Sequence, residues 1–230
     1  MRIDIITAVP ELLGGPLDHS IVGRARKAGK VVIHIHDLRK YSTDKHRKVD
    51  DYPFGGGAGL VMTPQPVFDC VSYLKEQRSY DAVIFPTPDA PVLNQKRVNS
   101  LSLHQKIMII CGHYKGIDQR IRDELVTLEI SIGDFVLSGG ELPAMILVDA
   151  IVRLLPGVLG DAESALDDSF QDGFLSAPVY TRPANFRGLK IPEVLRSGNH
   201  EQIRLWREKK ALELTKTKRP DLYRNLIHKK

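Results

Sequence analysis

Ile132-Gly133-Asp134-Phe135-Val136-Leu137-Ser138-Gly139-Gly140-Glu141-Leu142 joins a β-like run to the most apolar helical segment of the chain. The first part belongs to a run from Leu128 to Leu137 that reads as a strand. The last part opens a helix from Glu141 to Leu155 with Pro143 in its first turn. Gly139 and Gly140 lie between them, where backbone is free to approach a neighbour with no side chain in the way. Strand, glycine turn and helix form the unit of an α/β fold, and in a parallel sheet that turn is where ligands bind.

Two more apolar runs carry the same punctuation. Ala82-Val83-Ile84-Phe85 is followed by Pro86-Thr87-Pro88, and the run from Lys106 to Cys111 by Gly112-His113-Tyr114-Lys115-Gly116. Each is short and continuously apolar, as expected of a strand covered on both faces. Arg2 to Thr7 and Val31 to His36 repeat the strand pattern around a polar, helix-compatible segment, which makes a β-α-β opening. Thr63 to Gln77 reads as a helix with Pro64 and Pro66 in its first turn and Val67, Val71 and Leu74 at core spacing. The fold class is therefore α/β with a mostly parallel sheet. Strand ends need turns anyway, but three breaker-rich turns at three strand ends point to one shared site.

Glu141 to Leu155 is apolar on nearly all faces, which in a chain of this size implies a subunit interface and a homodimer. Arg153 interrupts that surface and needs a partner or a task. After Pro156-Gly157-Val158-Leu159-Gly160, the stretch from Asp161 to Asp172 holds five acids and no base. It reads as an interdomain linker (161–172) between residues 1–160 and a small helical domain, 173–230. Asp167 and Asp168 are either solvated linker charge or candidates for carboxylate chemistry. Within the last domain Ile191 to Leu195 opens a short helix, Asn199 with Gln202 caps a longer one, and Arg219-Pro220 precedes the last.

The 230 residues carry a net charge of +5, but unevenly. Arg24 to Lys48 contributes +7 and Glu201 to Lys230 contributes +6, so the other residues total −8. Two basic patches on an acidic body suit phosphate contacts, with solvated helix faces as the alternative. The first patch runs through Lys45, His46, Arg47 and Lys48 to Asp50 and then into Gly55, Gly56, Gly57 and Gly59. That loop is either a flexible linker or a place where backbone meets a large partner; its spacing matches neither a Walker loop nor a dinucleotide fingerprint. No run is long enough for a membrane span and the N-terminus reads as a strand, so a cytoplasmic location without membrane contact is expected. Cys70 and Cys111 lie far apart in apolar surroundings and read as buried thiols. His34 and His36 read as structural strand residues.

Cys111 to Arg120, Ile132 to Glu141 and Pro156 to Gly160, taken together, resemble the TrmD family of bacterial tRNA (guanine-N(1)-)-methyltransferases. The likeness extends to Tyr52 to Gly59, Asp168-Ser169-Phe170, Asp172-Gly173, Tyr180-Thr181-Arg182-Pro183, Ser197-Gly198 and His200-Glu201, in the family's order. The resemblance implies the SPOUT class: a deep C-terminal trefoil knot in the α/β domain, an obligate homodimer and S-adenosylmethionine bound within the knot. It implies methylation of ring nitrogen 1 of the guanosine at tRNA position 37. The implied cofactor pocket is Phe85, Pro86, Thr87 and Pro88, then Gly112, Tyr114 and Gly116, then Ile132, Gly133, Val136, Leu137, Gly139 and Gly140.

By the same resemblance Asp168 is the general base and Arg153 stabilises charge on the guanine oxygen. The basic loop and the C-terminal cations would hold the tRNA anticodon stem-loop, with Asp50 or the glycine backbone meeting the guanine. Many relatives have Glu at the position of Lys115 and Asp at that of Ser176, both associated with magnesium, so the chain departs from the pattern where a metal ion would sit. The metal ligands are therefore left unassigned. The alternatives are another SPOUT RNA methyltransferase, acting on a ribose or another base, and a noncatalytic RNA-binding module.

Overall fold

A computed structural model describes residues 1–160 and 168–227 of the chain. Most of the expected linker, with Asp167, lies outside the described residues. The chain divides into two compact units, Met1–Gly160 and Asp161–Lys230.

The first unit is built on β1 (Arg2–Thr7), β2 (Val32–Asp37), β5 (Ala82–Pro86), β6 (Lys106–Ile110) and β7 (Leu128–Ile130), all parallel, in the order β2-β1-β6-β5-β7. Alternate residues of β1, β5 and β6 feed opposite cores, which explains the continuous apolar runs of β5 and β6. Ile3, Ile5, Ile84, Ile107 and Ile109 join one cluster, packed with Leu147, Val148 and Ile151 of α6 (Glu141–Val152). Ile6, Val83, Phe85, Met108 and Ile110 join the other, packed with Val67, Val71 and Leu74 of α3 (Pro64–Gln77) and Ile121 of α5 (Gln119–Leu125). Fully burying each such side chain contributes about 1.5–3 kcal/mol. The opposite face of the sheet is also served by α2 (Ser20–Lys27) and α4 (Gln95–Ser102), whose Val22, Ala25, Val98 and Leu101 lie in the first cluster.

One charged residue sits inside the sheet. Asp4 is fully buried, with Arg2 bound at 2.6 and 2.8 Å, His36 Nε2 at 2.7 Å and the Tyr80 hydroxyl at 2.8 Å. Burial alone would raise the Asp4 carboxyl, but the hydrogen bonds to His36, Arg2 and Tyr80 hold it well below the usual carboxylate range. His36 is thereby given a structural partner.

Three expectations need correcting. The run from Leu128 to Leu137 is a strand only to Ile130, because Gly133 turns at φ +149° and the Ser131 hydroxyl bonds the Gly133 backbone at 3.0 and 3.1 Å. The helix from Glu141 ends at Val152 rather than Leu155, and along it Leu142 and Ile146, one turn apart, are 47% and 48% exposed in the single chain. Ile191 to Leu195 forms no more than a 3-10 turn, Glu193–Arg196.

In the second unit α7 (His200–Lys218) is capped by the Asn199 side chain, which accepts from Gln202 N at 3.1 Å, and α8 (Pro220–Ile227) follows at the proline. A two-strand hairpin, β8 (Asn185–Phe186) with β9 (Leu189–Lys190), had no signature in the apolar pattern.

Candidate active site

The carboxyl ends of β6, β5 and β7, three adjacent strands, open on one cavity of about 320 Å³. Its first wall is Phe85 to Asp89, its second Gly112 to Ile117 and its third Ile130 to Gly140, with Pro143 of α6 beneath. Every residue expected in the cofactor pocket lines this cavity: Phe85, Pro86, Thr87, Pro88, Gly112, Tyr114, Gly116, Ile132, Gly133, Val136, Leu137, Gly139 and Gly140. Asp89, His113, Lys115 and Arg122 line it too and were not among the expected residues.

Close packing of backbone on backbone fixes the walls. Gly140 N donates to Gly112 O at 2.7 Å, and a Cβ on Gly140 would lie 2.9 Å from Cys111 Cα and Gly112 N. Only glycine permits the second and third walls to touch there. A bridge between His113 and Gly139 continues the contact. The first and third walls are joined by Thr87 N to Ile130 O at 2.9 Å and Leu93 N to Ser131 O at 2.8 Å. Tyr114 adopts φ +61° and is half-exposed; burial, with Asp50 nearby, raises its hydroxyl pKa.

Behind the second and third walls lies a buried polar pair. Glu141 is 1% exposed; its Oε1 accepts from the Thr7 hydroxyl at 2.6 Å, and its Oε2 faces His113 Nδ1 at 3.6 Å. Among the described residues neither of those last two atoms has a hydrogen-bond partner.

The glycine-rich loop is tied to the second wall. Asp50 and Asp51 (β3) pair antiparallel with Val61 and Met62 (β4), so residues 52–60 form the tip of a small hairpin. Lys115 N donates to Leu60 O and Met62 N to Gly116 O, both at 3.0 Å, while the Lys115 stem lies against Gly59. Gly55, Gly56, Gly57 and Gly59 are exposed on this tip, beside fully exposed Phe54. Lys45, His46 and Arg47 are exposed on a turn organised by Asp44, whose Oδ1 accepts from His46 N at 2.7 Å and Lys48 N at 3.2 Å; those contacts lower the Asp44 pKa.

Arg153 caps the C-terminus of α6 and is partly buried in the first unit. Asp168 is a partly buried member of the second, its carbonyl accepting from Gln171 N at 3.4 Å. Ser176 N donates to Ser169 Oγ at 2.9 Å. Of the C-terminal cations, Arg204 pairs with Glu201 and Glu208, Lys210 with Glu213, and Arg219 with Asp221, so part of that charge is already balanced. Among the described residues no group of three or more His, Cys, Asp or Glu side chains is arranged to hold a metal ion.

Residues 1–225 match the family model for tRNA (guanine-1)-methyltransferase TrmD. The chain belongs to this family. It is 60% identical over 225 residues to the tRNA (guanine-N(1)-)-methyltransferase of Flavobacterium psychrophilum, covering 98% of this chain and all of that protein. Proteins of the same name from Bacteroides thetaiotaomicron and Chlorobaculum tepidum are 57% and 54% identical over 222 residues, 96% of this chain and 99% and 96% of theirs. No helix among the described residues is long and apolar enough to cross a membrane.

Proposed function

We propose that this TrmD family member methylates ring nitrogen 1 of guanosine 37 in tRNA, using S-adenosylmethionine held in the cavity at the ends of β5, β6 and β7. The observation that carries the reading is the convergence of all three glycine- and proline-rich walls on that one cavity. Its volume of about 320 Å³ is within the range of small-molecule sites. Its lining also suits the donor. Phe85, Ile132, Val136 and Leu137 offer apolar surface to its purine, and the glycines expose backbone donors and acceptors to its polar groups.

When bound, S-adenosylmethionine supplies an electrophilic methyl group. The chain's own residues prepare the acceptor. Ring nitrogen 1 of guanine carries a proton at neutral pH and is a poor nucleophile until that proton leaves; Asp168 takes it. Negative charge then spreads to the oxygen on carbon 6, where Arg153, always protonated, stabilises it. The cavity walls exclude water from the reacting atoms and hold the two substrates in one orientation.

The remaining parts of the reading follow the same assignment. Residues 1–160 form the knotted donor-binding domain, 161–172 the linker and 173–230 the helical RNA-binding domain; the division into two compact units supports this. The return of the third wall onto Gly112 supports the knotted path of a SPOUT enzyme. The chain works as a homodimer, for which the half-exposed Leu142 and Ile146 on α6 offer an apolar stripe. Lys45, His46 and Arg47 hold anticodon-stem phosphates, which position the RNA, and Asp50 with Gly55, Gly56, Gly57 and Gly59 approaches the guanine after it leaves its stack. Lys115 supplies positive charge where many relatives place a magnesium-associated carboxylate. The enzyme operates in the cytoplasm, where its RNA substrate is.

The test is methylation of a tRNA transcript bearing guanosine 37, with nucleosides identified by mass spectrometry. Wild type yields 1-methylguanosine. Asp168→Ala loses about 10²–10⁴-fold in single-turnover rate with donor affinity kept, and Arg153→Ala about 10²–10³-fold. Near-wild-type chemistry in Asp168→Ala removes the base assignment, and 2′-O-methylation would replace the reaction.

A further inference from the structure

We propose that Arg122 is a positioning residue of the donor pocket: its guanidinium ties the first wall to β7, which leads into the third, and holds the Thr87–Asp89 turn in its binding shape. The proposal rests on the donor-site reading above. Arg122 is placed by α5, the helix that follows the second wall. Its Nε and Nη2 donate to the two carboxylate oxygens of Glu129 at 2.7 and 2.8 Å, and Glu129 lies on β7, which leads into the third wall. Its Nη2 also donates to Asp89 Oδ2 at 2.9 Å, in the first wall. The Arg122 guanidinium carbon stands 5.6 Å from the centre of the Phe85 ring, at the end of β5.

The first wall has particular need of such a tie. Prolines at 86 and 88 remove two backbone donors from it, so side chains must do part of the holding. Thr87 donates to the Asp89 carboxylate, and Asp89 is bound in turn by Arg122; both contacts lower the Asp89 pKa, that of Thr87 first. The fork on Glu129 keeps the Arg122 pKa above the usual guanidinium range. A planar guanidinium that satisfies one carboxylate bidentately and still reaches a second is geometry that lysine does not reproduce. Arg122 side-chain exposure is only 22%, so solvent screens this network less than a surface pair. With the turn pre-shaped, the donor binds without first ordering it.

The experiment compares wild type, Arg122→Ala, Arg122→Lys and Asp89→Asn in the full chain. It measures calorimetric affinity for S-adenosylmethionine and separate KM values for donor and tRNA. Arg122→Ala should raise the donor Kd and KM about tenfold while the tRNA KM stays within about twofold, since the loss is of preorganisation in one pocket. Arg122→Lys should recover only part of the donor affinity. Asp89→Asn, which touches a carboxylate 57% exposed and spares the fold, should weaken donor binding about threefold and serves if Arg122→Ala does not fold. Wild-type donor affinity in a folded Arg122→Ala or in Asp89→Asn overturns the proposal, as does an equal rise in both KM values. Failure of wild type itself to bind S-adenosylmethionine overturns the pocket reading along with it.

Discussion

Gly140→Ala tests whether the second and third walls must touch. The added Cβ would stand 2.9 Å from Cys111 Cα and Gly112 N and 3.2 Å from Cys111 C, where ordinary carbon contacts are about 3.5–4.0 Å. All three atoms are backbone at the end of a central strand, so none can swing aside. The third wall must retreat instead, stretching the 2.7 Å hydrogen bond from Gly140 N to Gly112 O. Overpacking costs about 1–3 kcal/mol and the weakened bond about 1 kcal/mol, for about 2–4 kcal/mol in all. In a chain of this size that lowers the Tm by about 4–16 °C. Because the two walls separate, donor affinity should also fall by at least about tenfold. Gly15→Ala is the control: it lies in a short helix with nothing within 4 Å of the added Cβ, and should be neutral or stabilise by up to about 1 kcal/mol. Thermal unfolding and calorimetry on the three proteins give the result. A Gly140→Ala protein with the wild-type Tm and donor affinity would refute the reasoning.

Asp4→Asn should destabilise by about 3 kcal/mol at neutral pH, because it breaks a buried ionic cluster. The Asp4 carboxyl is held below its ordinary value, so its contribution is present above about pH 4 and is lost as pH falls toward the folded pKa. The stability gap between wild type and Asp4→Asn, followed by denaturant titration, should therefore narrow below about pH 4; a gap that widens there contradicts the assignment. Both thiols should resist alkylation in the native protein and react in denaturant, since burial pushes the Cys70 thiol up to about 12 and raises that of Cys111 as well. Rapid native labelling of Cys111 would mean that the sheet opens at β6. Removal of divalent ions with EDTA should leave substantial turnover if Lys115 supplies the charge. Complete loss restored by magnesium would show that an ion is needed despite the substitution.

The sheet was legible because each central strand is covered on both faces, and Ile107, Met108, Ile109 and Ile110 can only be a short run of that kind. Where the apolar run continued past the strand, the pattern misled. Val136 and Leu137 look like core residues in sequence, yet they are 82% and 37% exposed and face the cavity mouth. An apolar residue meant for a ligand is indistinguishable by composition from one meant for the interior. The three walls could be anticipated because proline and glycine mark where strands stop. The Arg122 tie could not, since Asp89 and Glu129 lie 33 and 7 residues away with no periodic relation to it. Hairpin β8–β9 escaped notice because its exposed residues have no core face to alternate against. Arg153 and Asp168 stand out as residues only as a charge on an apolar helix and an acid in an acidic stretch; their catalytic roles come from family likeness, because neither setting specifies a reaction.

The strand order also governs how the chain is born. β6 occupies the middle of the sheet, between β1 and β5, but its residues follow β1 by about a hundred positions. At about 5–20 residues per second of synthesis, roughly 5–20 s pass between the appearance of Thr7 and that of Lys106. Once β2 and β5 have been made, β1 has β2 on one side and a bare edge on the other until β6 appears, and β5 has neither neighbour. Non-local parallel pairing is slow, and unpaired edges recruit wrong partners. Until the central strand arrives, the nascent chain therefore carries strand edges that its face-packing helices do not cover.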